Sequence, residues 1–261
     1  MGFDPKPAAA VLAQAWRSGV QLAELPLDIR PRSIDEGYAV QDALIDAMAE
    51  PTAGWKLGVG SPAAMRQTGL GRPLVGRVLG SCCHPSGASF ALARGTAVTV
   101  EFEIAFVLAR DVEPIAPIGA PLDVVAEARI AFEIVRSRYL DRRAVGWPSF
   151  AADSVGFAAL VVGRPIDIAR IARVTEEVVV KLDGDEAARG LQGDDWSDPI
   201  AGLAALLVHA RERGVTLRRG EIVSAGAIAR PFTVERDARL SATACGVELH
   251  THLMLTETPS R

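Results

Sequence analysis

Apolar positions recur at helical spacing near the start of the chain. Between Ala8 and Arg17, Val11, Leu12 and Trp16 fall on one side of a helix. A second helix opens at Ser33, where Ser33-Ile34-Asp35-Glu36 has the form of a capping box, Ser followed three residues later by Glu. Behind it Tyr38, Gln41, Leu44, Ile45 and Met48 continue the pattern to about Ala49, and Pro51 closes it. Gly54-Trp55-Lys56-Leu57-Gly58 reads as a short strand crowded by glycines, Pro62 to Thr68 as a short helix, and Gly69 to Gly76 as loop. From about residue 80 the period shortens to that of strands, with candidates at Val98–Leu108, Ile130–Val135, Leu160–Val162, Val178–Leu182, Ile222–Ala225 and Val247–Leu255. Asp183-Gly184 suits a hairpin turn, and one helix from Pro199 to about Arg213, ended by Gly214, interrupts the strands. Strands and occasional helices out of βαβ rhythm predict an α+β chain: a mixed or mostly antiparallel sheet behind a small helical N-terminal part.

Composition narrows the class. The chain has 261 residues, a formal charge of −4 and 49% apolar residues, which is globular and long enough to bury a core without disulfides. No block of clustered cations exists to neutralise phosphates, so no nucleic-acid partner is expected. No apolar run reaches the length of a membrane span, so no membrane partner is expected either. The N-terminal stretch, broken by Asp4, Pro5 and Pro7, lacks the form of a signal peptide, and three cysteines, two of them adjacent, imply no disulfide framework. A cytoplasmic protein is the expectation. Of 28 basic residues only Lys6, Lys56 and Lys181 are lysines, so a lysine that remains among arginines draws notice for its own chemistry.

Candidate chemistry concentrates in two strands. On Val98–Leu108, Glu101 and Glu103 point to one face roughly 7 Å apart. Two carboxylates in a partly desolvated place repel unless a cation sits between them; an isolated E-x-E also suits a solvent-facing strand end. Glu133 adds a third acid within the apolar run Ile130-Ala131-Phe132-Glu133-Ile134-Val135, where it can also pair with Arg136 or Arg138. Three glutamates without His or Cys nearby match a hard divalent cation, Mg²⁺ or Mn²⁺, rather than zinc. Lys56 is the second candidate, with Gly54 and Gly58 leaving room for a ligand to approach and Trp55 and Leu57 facing the other way; a surface lysine is the plain alternative. The pattern GxxxxGK[ST] is absent. His250 and His252 share a strand face, which fits a plain edge strand, and His209 is expected at the helix surface. Cys82-Cys83-His84 lacks metal-ligand spacing and fits apolar packing or exposed thiols.

Several of these segments, in this order, resemble the 2-keto-4-pentenoate hydratase group of the fumarylacetoacetate hydrolase superfamily. They are Gly37-Tyr38-Ala39-Val40-Gln41, Gly54-Trp55-Lys56-Leu57-Gly58, Arg72-Pro73-Leu74-Val75-Gly76, the E-x-E followed by Ile-Ala-Phe-Val-Leu, Phe132-Glu133-Ile134-Val135-x-Ser137-Arg138, the Asp183-Gly184 turn and Arg219-Gly220-Glu221-Ile222-Val223. The likeness spans about residues 30 to 255. It implies a helical N-terminal part with the Lys56 strand over residues 1–80 and a mixed β-roll with the metal site over 81–261. It implies Mg²⁺ or Mn²⁺ on Glu101, Glu103 and Glu133, Lys56 beside a bound 2-oxo acid as the proton-transfer group, and Asp153 near the substrate as a group that positions water. Leu74, Ser154 and Arg136 become expected substrate contacts, and a homo-oligomer the expected assembly. The implied activity is hydration of a 2-hydroxydienoate to a 4-hydroxy-2-oxo acid, as in meta-cleavage degradation of aromatic compounds. The alternatives are decarboxylation of a 2-oxo-dicarboxylate, or a catalytically silent partner on the same scaffold. The chain departs from the family pattern at Arg136, where Asp is usual, at Asp141-Arg142-Arg143 in place of Asp-Trp-Lys, at Ser154 in place of Asn, and at Ser224-Ala225-Gly226-Ala227 in place of a Thr-Gly motif.

Overall fold

The computed structural model describes residues 2–117 and 119–257. Two helices open the chain, α1 (Lys6–Ser18) and α2 (Ile34–Met48). The capping box forms with a shift: Ser33 Oγ accepts from Glu36 N at 3.2 Å, and the Glu36 carboxylate reaches back to Arg32 N rather than to Ser33 N. Leu12, Leu25, Val40, Leu44 and Tyr139 form a small core between these helices and the body. Three more helices follow, α3 (Pro62–Thr68), α4 (Gly146–Ala152) and α5 (Pro199–Arg213). Asp198 caps α5 through the backbone N–H groups of Ile200 and Ala201, and Gly214 ends it in the left-handed conformation.

Among the described residues thirteen strands form the sheets: β1 (Thr52–Gly58), β2 (Leu74–Leu79), β3 (Cys83–Pro85), β4 (Ser89–Ala93), β5 (Val98–Leu108), β6 (Val125–Val135), β7 (Phe157–Ile166), β8 (Val179–Leu182), β9 (Asp185–Arg189), β10 (Ile222–Ala227), β11 (Phe232–Val234), β12 (Ala238–Ala244) and β13 (Val247–Thr256). The larger sheet runs β2-β1-β10-β5-β6-β7-β3, with β11 also paired to β5; the smaller runs β4-β13-β12-β8-β9. Pairing is antiparallel except for β1 with β10, β3 with β7 and β4 with β13. β2 and β3, at opposite ends of the larger sheet, are joined by the three residues Gly80–Cys82, and β2 approaches β7, so the sheet curls into a roll. One face of the roll carries the large apolar residues, Trp55, Leu57, Phe102, Ile104, Phe106, Phe132 and Val223, packed with the smaller sheet and α5. The inner face carries smaller ones, Val78, Ala105, Ala131 and Leu160, and this leaves space for polar groups beside them.

The fold is α+β with a mixed β-roll, as expected, and several local expectations change. The loop expected to Gly76 already turns into β2 at Leu74. The boundary at residue 80 does not follow the sheet, because β1 and β2 are strands of the same sheet as β5 and β6. His250 and His252 lie on β13, which has neighbours on both sides and is no edge. His209 is buried rather than exposed, edge-on to Tyr38 with ring centroids 4.7 Å apart, and burial pushes its imidazole down to about 4, with Arg213 and Arg72 adding to the effect. Cys82 and Cys83 are half-buried free thiols against the apolar inner face.

Candidate active site

Strand register assembles the three acids. Glu101 on β5 stands directly opposite Glu133 on β6, and Glu103 lies two residues further along β5 on the same face. One carboxylate oxygen from each falls within 4.8 Å of the others. Glu103 and Glu133 are fully buried and Glu101 is half-buried. Glu103 Oε2 accepts from Ser224 Oγ at 2.6 Å and from Gly226 N at 3.0 Å, both on β10, so the Ser224–Ala227 departure still supplies two donors. Glu103 Oε1 and Glu133 Oε2 have no hydrogen-bond partner. Burial pushes the Glu103 carboxyl well above its ordinary range, and Glu133 and Glu101 push it further. Burial likewise raises Glu133 to about 7, against the pull of Lys56. Buried carboxylate oxygens without donors are costly as they stand, and a hard divalent cation is the partner that their chemistry and spacing fit.

Lys56 completes the cluster from β1. Its Nζ lies 2.8 Å from Glu133 Oε1, an ion pair angled outside hydrogen-bond geometry, and donates to the Val155 carbonyl at 3.1 Å. Pairing of Lys56 with Ser224 on one side and Gly76 on the other puts its stem on the inner face of the roll. Gly76 is required there, since a Cβ would stand 2.9 Å from Lys56 Cδ and 2.5 Å from the Ser154 carbonyl oxygen. Gly54 serves the protein's own packing, whereas Gly58 also borders the cavity that Lys56 lines. A Cβ on Gly54 would strike the Ile222 backbone, and one on Gly58 would come within 2.6 Å of the Val155 side chain.

The carbonyl that receives Lys56 belongs to a strained turn. Ser154, Val155 and Gly156 all have positive φ, 49°, 54° and 73°, which is unusual for Ser and unfavourable for β-branched Val. Asp153 anchors that turn from below. Fully buried, it accepts from Ser137 Oγ at 2.6 Å, from Arg138 N at 3.0 Å and from the Arg138 guanidinium. Burial pushes its carboxyl up, while Arg138 and Ser137 draw it back down. Ser154 Oγ accepts from Arg77 N. Asp153 and Ser154 therefore act inside the wall, in place of the expected contact with water and substrate. Leu74 also lies behind the wall, packed on Phe150 and Val155.

In front of this wall opens a cavity of about 530 Å³, lined on the acidic side by Lys56, Glu101 and Val155 and elsewhere by Gln67, Thr68, Arg142, Arg143, Trp147 and Phe150. Arg136 does not join them. It is buried, donates to the Arg94 carbonyl and lines a separate cavity beside α1, away from the expected substrate position. α2 fixes the cavity walls: Tyr38 Oη accepts from Val75 N, and Gln41 Nε2 donates to the Val75 and Ala151 carbonyls. The anchoring role of Ser137 and Arg138 was not foreseen from the sequence, although both stood in the motif following Glu133. Arg142 and Arg143 were visible only as departures.

No family model matches the chain. A 2-keto-4-pentenoate hydratase from Burkholderia vietnamiensis is 30% identical over 225 residues, covering 84% of this chain and 86% of that protein. A 4-oxalocrotonate decarboxylase from a Pseudomonas species is 30% identical over 203 residues, covering 75% and 77%. Among solved structures, 4-oxalocrotonate decarboxylase from Pseudomonas putida G7, complexed with magnesium and adipate, superposes with a TM-score of 0.82 over 96% of this chain and 97% of that one, at 19% identity. At 30% identity over most of both lengths, the chain belongs to the 2-keto-4-pentenoate hydratase family, and its fold is the one seen in the decarboxylase structure.

Proposed function

We propose that this protein is a metal-dependent hydro-lyase that adds water to a 2-hydroxydienoate to give a 4-hydroxy-2-oxo acid. The observation that carries the reading is the convergence of Lys56 and three glutamates at one cavity wall, with two buried carboxylate oxygens left without donors. Glu101, Glu103 and Glu133 would hold Mg²⁺ or Mn²⁺. Bound there, the cation supplies a chelating anchor for a 2-oxo acid and Lewis-acid stabilisation of negative charge on its 2-oxygen.

Lys56 is the proton-transfer group in this reading. Its ammonium is held by the Glu133 carboxylate and the Val155 carbonyl at the edge of the cavity. From there the ammonium can give a proton to the far end of the diene, and the proton that leaves the 2-hydroxyl then replaces it on Nζ, which gives the unsaturated ketone. Water oxygen then bonds to carbon 4, and its proton goes to carbon 3. Trp147, Phe150 and Val155 form the apolar part of the wall along the hydrocarbon chain. Asp153 acts as a positioning residue, because it holds the strained turn that presents the Val155 carbonyl.

The reading is tested by turnover of 2-hydroxydienoates, followed by loss of their ultraviolet absorbance with identification of products. A 4-hydroxy-2-oxo acid formed only with Mg²⁺ or Mn²⁺ present is the expected result. Release of CO₂ from a 2-oxo-dicarboxylate would move the assignment to a decarboxylase, the activity named for one of its relatives. Metal binding with no turnover of any 2-oxo acid would favour a silent partner.

A further inference from the structure

The cavity is charged at two places, and only one has been given a role. Arg142 and Arg143, in the segment between β6 and α4, line the same cavity as Lys56 and Glu101, Arg142 half-buried and Arg143 exposed. Asp141 Oδ1 accepts from the backbone N–H groups of Arg143 (2.9 Å) and Ala144 (3.2 Å) and so turns this segment at the rim. The half-buried Arg142 guanidinium lies over the Phe150 ring, 5.7 Å from its centroid. Among the described residues, neither guanidinium meets a carboxylate, in contrast to Arg170, Arg173, Arg189 and Arg213, each of which is ion-paired.

Charge counting gives this pair a use. Three carboxylates, the Lys56 ammonium and one divalent cation cancel, so the loaded acidic end is neutral. The two arginines are then left over in a cavity of about 530 Å³, roomy enough for an acyclic 2-oxo diacid together with water. A neutral chelating centre that shares its cavity with two guanidiniums unpaired among the described residues matches a dianion with one carboxylate at each end. Arginine suits the second carboxylate because its planar fork donates to both oxygens.

We infer that Arg142 and Arg143 are specificity residues that select a substrate bearing a second carboxylate at the end remote from its 2-oxo group. The inference rests on the reading above and names its substrate class: a 2-hydroxydienedioate rather than a simple 2-hydroxydienoate.

Binding of two unreactive ligands, 2-oxopentanoate and 2-oxoadipate, to the Mg²⁺-loaded protein tests this by titration calorimetry, independently of turnover. About tenfold tighter binding of 2-oxoadipate is expected, shrinking as salt rises. In R142Q/R143Q that advantage should disappear, while affinity for 2-oxopentanoate stays within about twofold. Equal affinity of the wild-type protein for both ligands overturns the inference and leaves the 2-oxo acid reading intact; this comparison needs no variant. A double variant that loses both ligands alike while still binding Mg²⁺ also overturns it. If neither ligand binds the Mg²⁺-loaded wild-type protein, the 2-oxo acid reading and this inference fall together.

Discussion

Two buried carboxylate sites are linked through the Ser154–Gly156 turn, and they are built in opposite ways. Asp153 is saturated: Ser137, the Arg138 backbone and the Arg138 guanidinium meet its oxygens. The glutamate cluster is not, since Glu103 Oε1 and Glu133 Oε2 have no donor and one ammonium serves three acids. A carboxylate with all its partners inside the protein holds structure together. A cluster short of partners is destabilised until something outside the chain supplies charge. The difference separates an anchor from a ligand set, although the residue types are nearly the same.

That contrast can be broken by substitution, starting with the largest effect. Glu133→Gln should lower metal-dependent turnover by about a thousandfold or more, near 4 kcal/mol of transition-state stabilisation, read as kcat/KM on a 2-hydroxydienoate. Asp153→Ala should instead act on folding. Removing one member of a buried pair leaves Arg138 uncompensated and costs about 3–5 kcal/mol in urea denaturation. Glu103→Gln should have the opposite sign in metal-free protein, raising stability by about 1–2 kcal/mol near pH 8, because a neutral amide still accepts from Ser224 and Gly226 without adding charge.

pH sharpens the comparison further. Glu103 and Glu133 have raised values in the folded protein, so they bind more protons folded than unfolded. Metal-free protein should therefore lose stability as pH climbs from about 4.5 to 7, and saturating Mg²⁺ should flatten that slope in thermal melts. The smallest effect concerns His209, whose value is depressed to about 4. Its contribution is complete above pH 6.5 and is lost as pH falls towards 4, and His209→Leu should reduce this acid limb alone.

Which parts were legible in the sequence follows from how local their causes are. β5 was read with its bounds unchanged, because eleven residues of strand pattern with two acids on one face leave little choice. The helix ending at Gly214 was equally plain, with its cap and stop in adjacent residues. β12 was missed because Ala238, Ala242 and Ala244 bury too little apolar surface to announce an alternation. The acid cluster was legible as residue types, but its closeness depends on the Glu101–Glu133 register, which no local pattern encodes. His209 was misplaced for a related reason: α5 is covered on that side by Tyr38 and Trp55 from distant segments. The destination of Arg136 could not be read at all, since whether a charged residue just past a strand points into one cavity or the next is decided by the turn after it.

The claim that the three glutamates form a cation site is tested most directly by Mn²⁺ titration of the metal-free protein, with free Mn²⁺ measured by electron paramagnetic resonance. One Mn²⁺ per chain is expected for the wild type, displaced by Mg²⁺, with binding lost in Glu133→Gln while Asp153→Asn retains it. Equal Mn²⁺ binding by Glu133→Gln and wild type would contradict the assignment.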